Sequence, residues 1–317
     1  MKRTTIAFLC LALIPAIAAA QQRVALREGL IIHPTRAEGY VMVPGGVAAV
    51  DLNSGAVLWQ SNAAAKPLAL NGNTLVSQVE PDRITNRLQL VALDVRERGA
   101  VRARNSIALP EGVQVSVGES PLGAFIATGR PGDGTVIVTW QYVPRNLRGR
   151  DDDIEEKRAS AASAVRRPAQ GAVRINVATG AMTRMDTAAM TPPASSSWAL
   201  TSRSRPSSAS SKSRQFESAD QRHLLASERI ADDREFRKYR WTIFDAAAGT
   251  RLGEIRSHIA FAPFVVRDNV LVFETTPYAV AGRGAEPAKL HGVDLATGAE
   301  RWSLPVREVA YRGPLDP

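Results

Sequence analysis

Apolar residues fall in short runs along the chain, each bounded by Gly, Asp, Asn, Ser or Pro. Leu30 to His33 with Tyr40 to Val43 is one pair of runs, and Phe264 to Val266 with Val270 to Phe273 is another. Runs this brief, punctuated by turn-forming residues, predict β-strands joined by tight connections.

The runs also repeat. Gly46-Val47-Ala48-Ala49-Val50-Asp51-Leu52-Asn53-Ser54-Gly55-Ala56-Val57-Leu58-Trp59 returns as His291-Gly292-Val293-Asp294-Leu295-Ala296-Thr297-Gly298-Ala299-Glu300-Arg301-Trp302. Weaker copies run from Leu90 through Asp94 to Gly99, from Arg174 through Asn176 to Gly180, and from Ile243 through Asp245 to Gly249. In each copy the Asp or Asn side chain is expected to cap turn amides. The Gly takes the left-handed position that closes a hairpin. Trp59 and Trp302 stand four residues past their Gly, where the middle copies have Ala103, Arg184 and Gly253. With another pair of apolar runs upstream, each copy makes a unit of four short strands. Such a unit cannot bury both faces alone and must stack on its neighbours. The expected fold is all-β: a β-propeller of four-stranded blades with five recognisable repeats.

The five Asp/Asn anchors are 43, 82, 69 and 49 residues apart. The first and last spacings fit one blade each. The surplus in the other two falls into two expected insertions. One, at about 144–169, is charged and Ala/Ser-rich, and the other, at about 192–217, is Pro/Ser-rich. Val113 to Val117 and Ala124 to Thr128 leave room for a degenerate blade in the longest gap. The amino-terminal strand is a candidate to complete the last blade, an incomplete ring being the alternative. Loss of Trp from the three middle copies predicts less regular packing there.

The pattern x-Asp-x-x-Thr/Ser-Gly-x-x-x-Trp resembles the repeat of the pyrroloquinoline-quinone-type β-propeller family. The likeness is strongest at 46–59 and 291–302 and weakest at 90–103. That family includes quinoprotein dehydrogenases and the outer-membrane assembly lipoprotein of the β-barrel machinery. For a catalytic member the resemblance implies a quinone sandwiched between a Trp and a vicinal disulfide, a calcium held by Glu, Asn and Asp, and an Asp base. This chain has a single Cys, and no Glu/Asn/Asp trio matches those ligands by motif. It looks more like the non-catalytic, assembly-factor members, in which the Trp locks neighbouring blades. No catalytic, cofactor-binding or metal-ligating residue is expected, and no cofactor. The positions singled out are structural: Asp51, Gly55, Trp59, Asp94, Asn176, Gly180, Asp245, Gly249, Asp294, Gly298 and Trp302.

The amino terminus changes the picture. Lys2-Arg3, the apolar run Ile6 to Ile17 and Ala18-Ala19-Ala20 have the order of a secretory signal peptide, with the mature chain starting at Gln21. Cys10 lies inside the apolar run and lacks the small preceding residues of a lipidation site. Residues 21–317 are then one propeller domain without cysteine, expected in the periplasm or secreted. The formal charge of +9 falls to +7 on loss of Lys2 and Arg3. No later stretch is apolar enough to span a membrane.

Other constellations reduce to surface. Asp151-Asp152-Asp153 with Glu155-Glu156 lacks the ligand spacing of a calcium loop and sits among arginines. Asp232 to Arg240 reads as a polar hairpin connection into Trp241, and His291 as a strand residue. The Ser-rich stretch holds no G-x-S-x-G, and Gly282-Arg283-Gly284 lacks the third glycine of a dinucleotide loop. Arginine supplies all but six of the 40 basic residues and is spread over the chain, with no nucleic-acid-binding cluster. The expected function is an exported, monomeric, non-catalytic scaffold that binds a protein partner in the cell envelope. A quinone-dependent dehydrogenase and a glycan- or ligand-binding propeller are the alternatives.

Overall fold

The computed structural model describes residues 25–117, 119–120, 123–144, 169–185, 209, 212–232, 237–275 and 287–307. The expected signal peptide and the interiors of both expected insertions lie outside the described residues, as do the Asp151–Glu156 charge run and Gly282–Gly284.

Among the described residues, twenty-two strands form five sheets, and in every sheet consecutive strands pair antiparallel in chain order. Blade 1 is β1 (Ala25–Arg27), β2 (Leu30–Ile32), β3 (Glu38–Val43), β4 (Gly46–Asp51) and β5 (Val57–Ser61). Blade 2 is β6 (Lys66–Asn71), β7 (Thr74–Gln78), β8 (Arg87–Asp94) and β9 (Ala100–Ala108). Blade 3 is β10 (Glu119–Ser120), β11 (Gly123–Pro131), β12 (Thr135–Pro144), β13 (Ala169–Asn176) and β14 (Met182–Met185). Blade 4 is β15 (Arg214–Glu217), β16 (His223–Asp232), β17 (Arg237–Asp245) and β18 (Arg251–Ser257). Blade 5 is β19 (Phe264–Arg267), β20 (Val270–Thr275), β21 (Lys289–Asp294) and β22 (Glu300–Pro305).

Burial orders the strands within a blade. In blades 1 and 2 the second and third strands of the four-stranded unit are buried on both faces for most of their length, as in Val47–Val50, and so is Val270–Phe273 of blade 5, whereas burial alternates along β12 of blade 3. The fourth strands β5, β9, β18 and β22 are mostly exposed. At the other edge, β6 touches β2 of blade 1 and β11 of blade 3, so the leading strands of successive blades meet. Up-and-down sheets stacked face to face, with inner edges gathered and outer edges free, make a β-propeller.

Shared cores join the blades. Ile31, Tyr40, Val47 and Trp59 of blade 1 pack with Leu75, Val91 and Leu93 of blade 2. Leu68, Val76 and Leu90 of blade 2 pack with Phe125, Val138 and Ile175 of blade 3. Trp241, Ile243 and Ile255 of blade 4 pack with Phe264, Leu271 and Phe273 of blade 5. The last blade meets the first through Val272, Leu290 and Trp302 against Leu30, Val41 and Val50. Blade 5 is complete from its own four strands, and the amino-terminal strand β1 instead adds to the inner edge of blade 1.

Two blades carry a fifth strand, β1 and β10, each lying against a leading strand whose backbone edge would otherwise be unpaired. Among the described residues, the 82-residue spacing holds no additional blade. Ala124–Thr128 belongs to β11, and Val115 contributes one bridge, to Thr85, while packing in the blade 2–blade 3 core. At the margins of the expected insertions, Pro144 ends β12, Ala169 begins β13 and Arg214–Glu217 is β15. Asp232 and Arg237–Arg240 lie within the paired arms of the β16–β17 hairpin.

Candidate functional site

The repeat residues sit at the turn between third and fourth strands, and the five turns share one geometry. In each, Oδ1 of the Asp or Asn accepts the amides two and three residues on. Asp51 takes Asn53 and Ser54, Asp94 takes Arg96 and Glu97, and Asn176 takes Ala178 and Thr179. Asp245 takes Ala247 and Ala248, and Asp294 takes Ala296 and Thr297. The Gly amide then donates back to the carbonyl of the same Asp or Asn in all five. These glycines have φ between 65° and 78°, where an L side chain is strained.

What stands over each turn differs. Trp302 of blade 5 lies on Gly55 of blade 1, where an added Cβ would be 2.6 Å from the ring, and its Nε1 donates to the Leu52 carbonyl at 3.1 Å. Trp59 lies in the same way on Gly99 of blade 2. Where Trp is missing, the packing expected to be irregular is instead tighter at two junctions. Ala103 sits directly on Gly180, and Gly253 lies against the Leu295 carbonyl, where even one methyl group would collide. Small residues let backbone meet backbone and take up the space of an indole.

Three of the turn carboxylates, Asp94, Asp245 and Asp294, are held below the ordinary carboxylate value. For Asp94, burial alone would raise the carboxyl. Hydrogen bonds from the Arg96 amide, the Arg102 guanidinium and the Glu97 amide outweigh it and lower the value. Asp294 is lowered to about 2, first by Arg301 and then by the turn amides. The eleven singled-out residues therefore lie one turn to a blade and are not gathered into one pocket.

One of them, Asp245, also lines a cleft. The turns β2–β3, β15–β16 and β19–β20 of blades 1, 4 and 5 converge with the Asp245 turn around a space of about 790 Å³. Arg267 forms part of its floor and pairs with Asp220 just behind the lining, both nearly buried, at 2.6 Å. Asp220 Oδ1 also accepts from the Ser218 hydroxyl at 2.6 Å and the Arg222 amide at 3.2 Å. Burial pulls the Asp220 carboxyl up, but His223, Ser218 and Arg267 together hold it well below the ordinary carboxylate range. His223 Nδ1 is 3.7 Å from Asp220, longer than a hydrogen bond.

Behind this floor, buried His33 accepts the Thr35 and Arg36 amides on Nδ1, at 3.2 and 3.0 Å. Nε2 therefore carries the proton. Burial first, then the charges of Arg36 and Arg267, lowers its value to about 4. The rim is exposed and carries Arg222 and Asp268, the latter accepting from Asn53 Nδ2 at 3.1 Å. Opposite charges thus face one opening above a fixed polar floor.

Sequence reasoning missed Asp220, His223, Arg267 and His33. Their turns differ in length between blades and carry no shared spacing, so only the fold brings them together. His291 lies on β21, stacked on Phe273 and bonded to Glu300 and Thr275. For a quinone-and-calcium site, no group of three or more His, Cys, Asp or Glu residues suited to a metal occurs among the described residues. The sequence holds no vicinal cysteines.

No family model matches the chain, and no curated protein matches it. Among solved structures it is similar to a Dos1 propeller, at 10% identity and a TM-score of 0.28, covering 89% of this chain and 58% of that one. It is also similar to an ACO/RPE65 chimera, at 11% identity and a TM-score of 0.28, covering 88% and 59%. A third is Sqt1 of Saccharomyces cerevisiae, at 10% identity and a TM-score of 0.20, covering 89% and 72%. The chain spans under two thirds of the first two. Likeness at these scores is too weak to bear on function, and the fold rests on the strand pairing itself.

Proposed function

We propose that this chain is an exported, non-catalytic β-propeller scaffold that binds a protein partner of the cell envelope through its turn face. The observation that carries this reading is the cleft between blades 1, 4 and 5. Its floor is fixed by the Asp220–Arg267 pair, and its rim presents Arg222 and Asp268 to solvent. Small-molecule pockets are mostly apolar with few polar groups, whereas a mixed-charge rim suits the charged side chains of a protein segment. The resemblance of the repeat to assembly-factor propellers and the sequence of residues 1–20 support the location. No helix among the described residues is long and apolar enough to cross a membrane.

The test uses the mature chain, residues 21–317, as bait in envelope extracts beside the variants Arg222→Glu and Asp268→Lys. A partner retained by the wild type and lost from both variants, with melting temperatures unchanged, is the expected result. Equal retention by all three removes the cleft from recognition. In parallel, the protein is titrated with calcium and pyrroloquinoline quinone. Stoichiometric binding with turnover of an alcohol or aldose would replace the scaffold reading with a dehydrogenase.

A further inference from the structure

The five hairpin turns share one geometry, but their carboxylates are not equally occupied. Oδ1 is spent on turn amides in every blade, so the difference lies at Oδ2. In blade 2, Asp94 Oδ2 accepts from Nε of Arg102 at 2.8 Å and also from its Nη2. In blade 5, Asp294 Oδ2 accepts from Nε of Arg301 at 2.9 Å and also from its Nη2. Each arginine stands three residues past its turn glycine and is the extra residue of a β-bulge between third and fourth strands. A bulge re-aims one side chain, here back onto the turn.

Blades 1 and 4 have the same bulge with a leucine in it, Leu58 and Leu252. Blade 3 has Asn176 and no bulge, so no charge is left over there. Asp51 and Asp245 therefore keep Oδ2 without a hydrogen-bond partner among the described residues, Oδ1 alone being engaged. Of the two, Asp245 lines the cleft between blades 1, 4 and 5.

The other charges of that cleft decide what can answer Asp245. Arg267 is offset by Asp220, and its Nε is closed off from solvent. At the rim, Asp268 spends Oδ2 on Asn53 Nδ2 and keeps Oδ1. An anion would meet the one exposed guanidinium of Arg222 and the His223 ring, whose Nδ1 is buried. A cation meets open carboxylate oxygens on two blades.

We infer that the cleft seats an arginine side chain of the partner, its guanidinium on Asp245 Oδ2 in the place that Arg102 and Arg301 fill in blades 2 and 5. Asp268 is the second acceptor, at the rim. Lysine fits less well, because the turn accepts two neighbouring N–H groups on one oxygen, an edge that a guanidinium presents and an ammonium does not. This inference rests on the cleft being the recognition surface and adds the chemistry of what enters it.

The probe is N-acetyl-arginine N-methylamide, beside its lysine, glutamine and glutamate counterparts, titrated into the mature chain and followed by amide NMR. Saturable shifts at Ala247, Ala248 and Asp268 are expected, on the order of tenfold tighter for the arginine compound than for the glutamine one. Asp245→Asn keeps the turn, as Asn176 does in blade 3, and should weaken arginine binding by a similar factor. Leu252→Arg puts an arginine of the chain's own in the bulge and should block the site. Asp51→Asn removes an equal charge outside the cleft lining and should leave binding unchanged. Circular dichroism melting checks that all three variants are folded. No saturable arginine shift, equal affinity for the glutamine compound, or unchanged binding in either Asp245→Asn or Leu252→Arg overturns the inference. Tighter binding of the glutamate compound overturns it in favour of an acidic segment. The cleft reading fails separately, when Arg222→Glu and Asp268→Lys retain envelope proteins as the wild type does.

Discussion

Trp302 concentrates three roles in one side chain: it covers Gly292 on its own sheet, covers Gly55 on the next blade, and donates to the Leu52 carbonyl. Trp302→Ala should cost about 3–5 kcal/mol, measured by denaturant unfolding, because the cavity opens where last blade meets first. The glycines beneath such rings give a sharper contrast. Gly99→Ala meets both a positive φ and the Trp59 ring, whereas Gly249→Ala meets only the positive φ. The Gly249 change should cost about 1–2 kcal/mol and the Gly99 change clearly more. Equal losses would show that Trp59 moves aside freely. His33 adds a pH dependence. Its folded value of about 4 lies below the ordinary 6.5, so the folded state binds fewer protons than the unfolded state. Its contribution is full above 6.5 and is lost as pH falls toward 4. His33→Asn, whose Oδ1 can accept the same two amides, should flatten the melting temperature across that window.

At the scale of the element, the hairpin turn is the repeated device of this chain, made five times with the same three contacts while the strands around it vary. The Asp or Asn is legible because no other side chain is short enough, and rich enough in acceptors, to take two amides at once. The turns differ in what backs the carboxylate. Asp94 is buried and held by Arg102, and Asp294 by Arg301, while Asn176 has no charge to lose. A carboxyl lowered in the folded state contributes stability above its unfolded value of 3.8, and that contribution disappears as pH falls below it. Asp94→Asn should therefore lower stability at pH 7 but leave a smaller further loss between pH 4 and pH 2, read from acid unfolding followed by circular dichroism. An unchanged acid limb would place the sensitivity in other carboxylates. Two amide bonds are at stake at Asn176, and Asn176→Ala should cost about 1–3 kcal/mol at every pH.

The whole molecule is a ring in which, among the described residues, the junction between blades 3 and 4 is the one joint with no shared core. Four junctions share cores built by both neighbours, and the last of these, between blades 5 and 1, brings together residues about 250 positions apart, as in Trp302 with Leu52. A strap extends it: the Arg307 amide donates to Met42, and its guanidinium pairs with Glu80 of blade 2 through two contacts of 2.6 Å. Arg307 and Glu80 are exposed enough that Arg307→Ala should cost under about 1 kcal/mol, less at high salt. Native-state hydrogen exchange should find the lowest opening energies in β13, β14 and β15, the strands nearest the unlike joint, and the highest in β4 and β8. The reverse order would mean that the ring opens between blades 5 and 1.

The sequence by itself determined the strand class and the five turns, because each rests on contacts between residues a few positions apart, and the offset of Trp59 and Trp302 from their turn glycines marked the two indoles that lock onto a neighbouring blade. Alternating burial, an Asx side chain reaching two amides, and a glycine at positive φ are local chemistry. It also located where the surplus chain falls. What only the tertiary structure decided depends on which blades meet. Ala103 and Gly253 replace an indole by letting backbones touch, and blade 5 is completed by its own strands rather than by the amino terminus. Asp220, Arg267, His223 and His33 come from three turns of unequal length, so no spacing links them. They gather at and behind one cleft because the ring bends blade 5 back onto blade 1, and that curvature arises from stacking whole sheets rather than from any one segment.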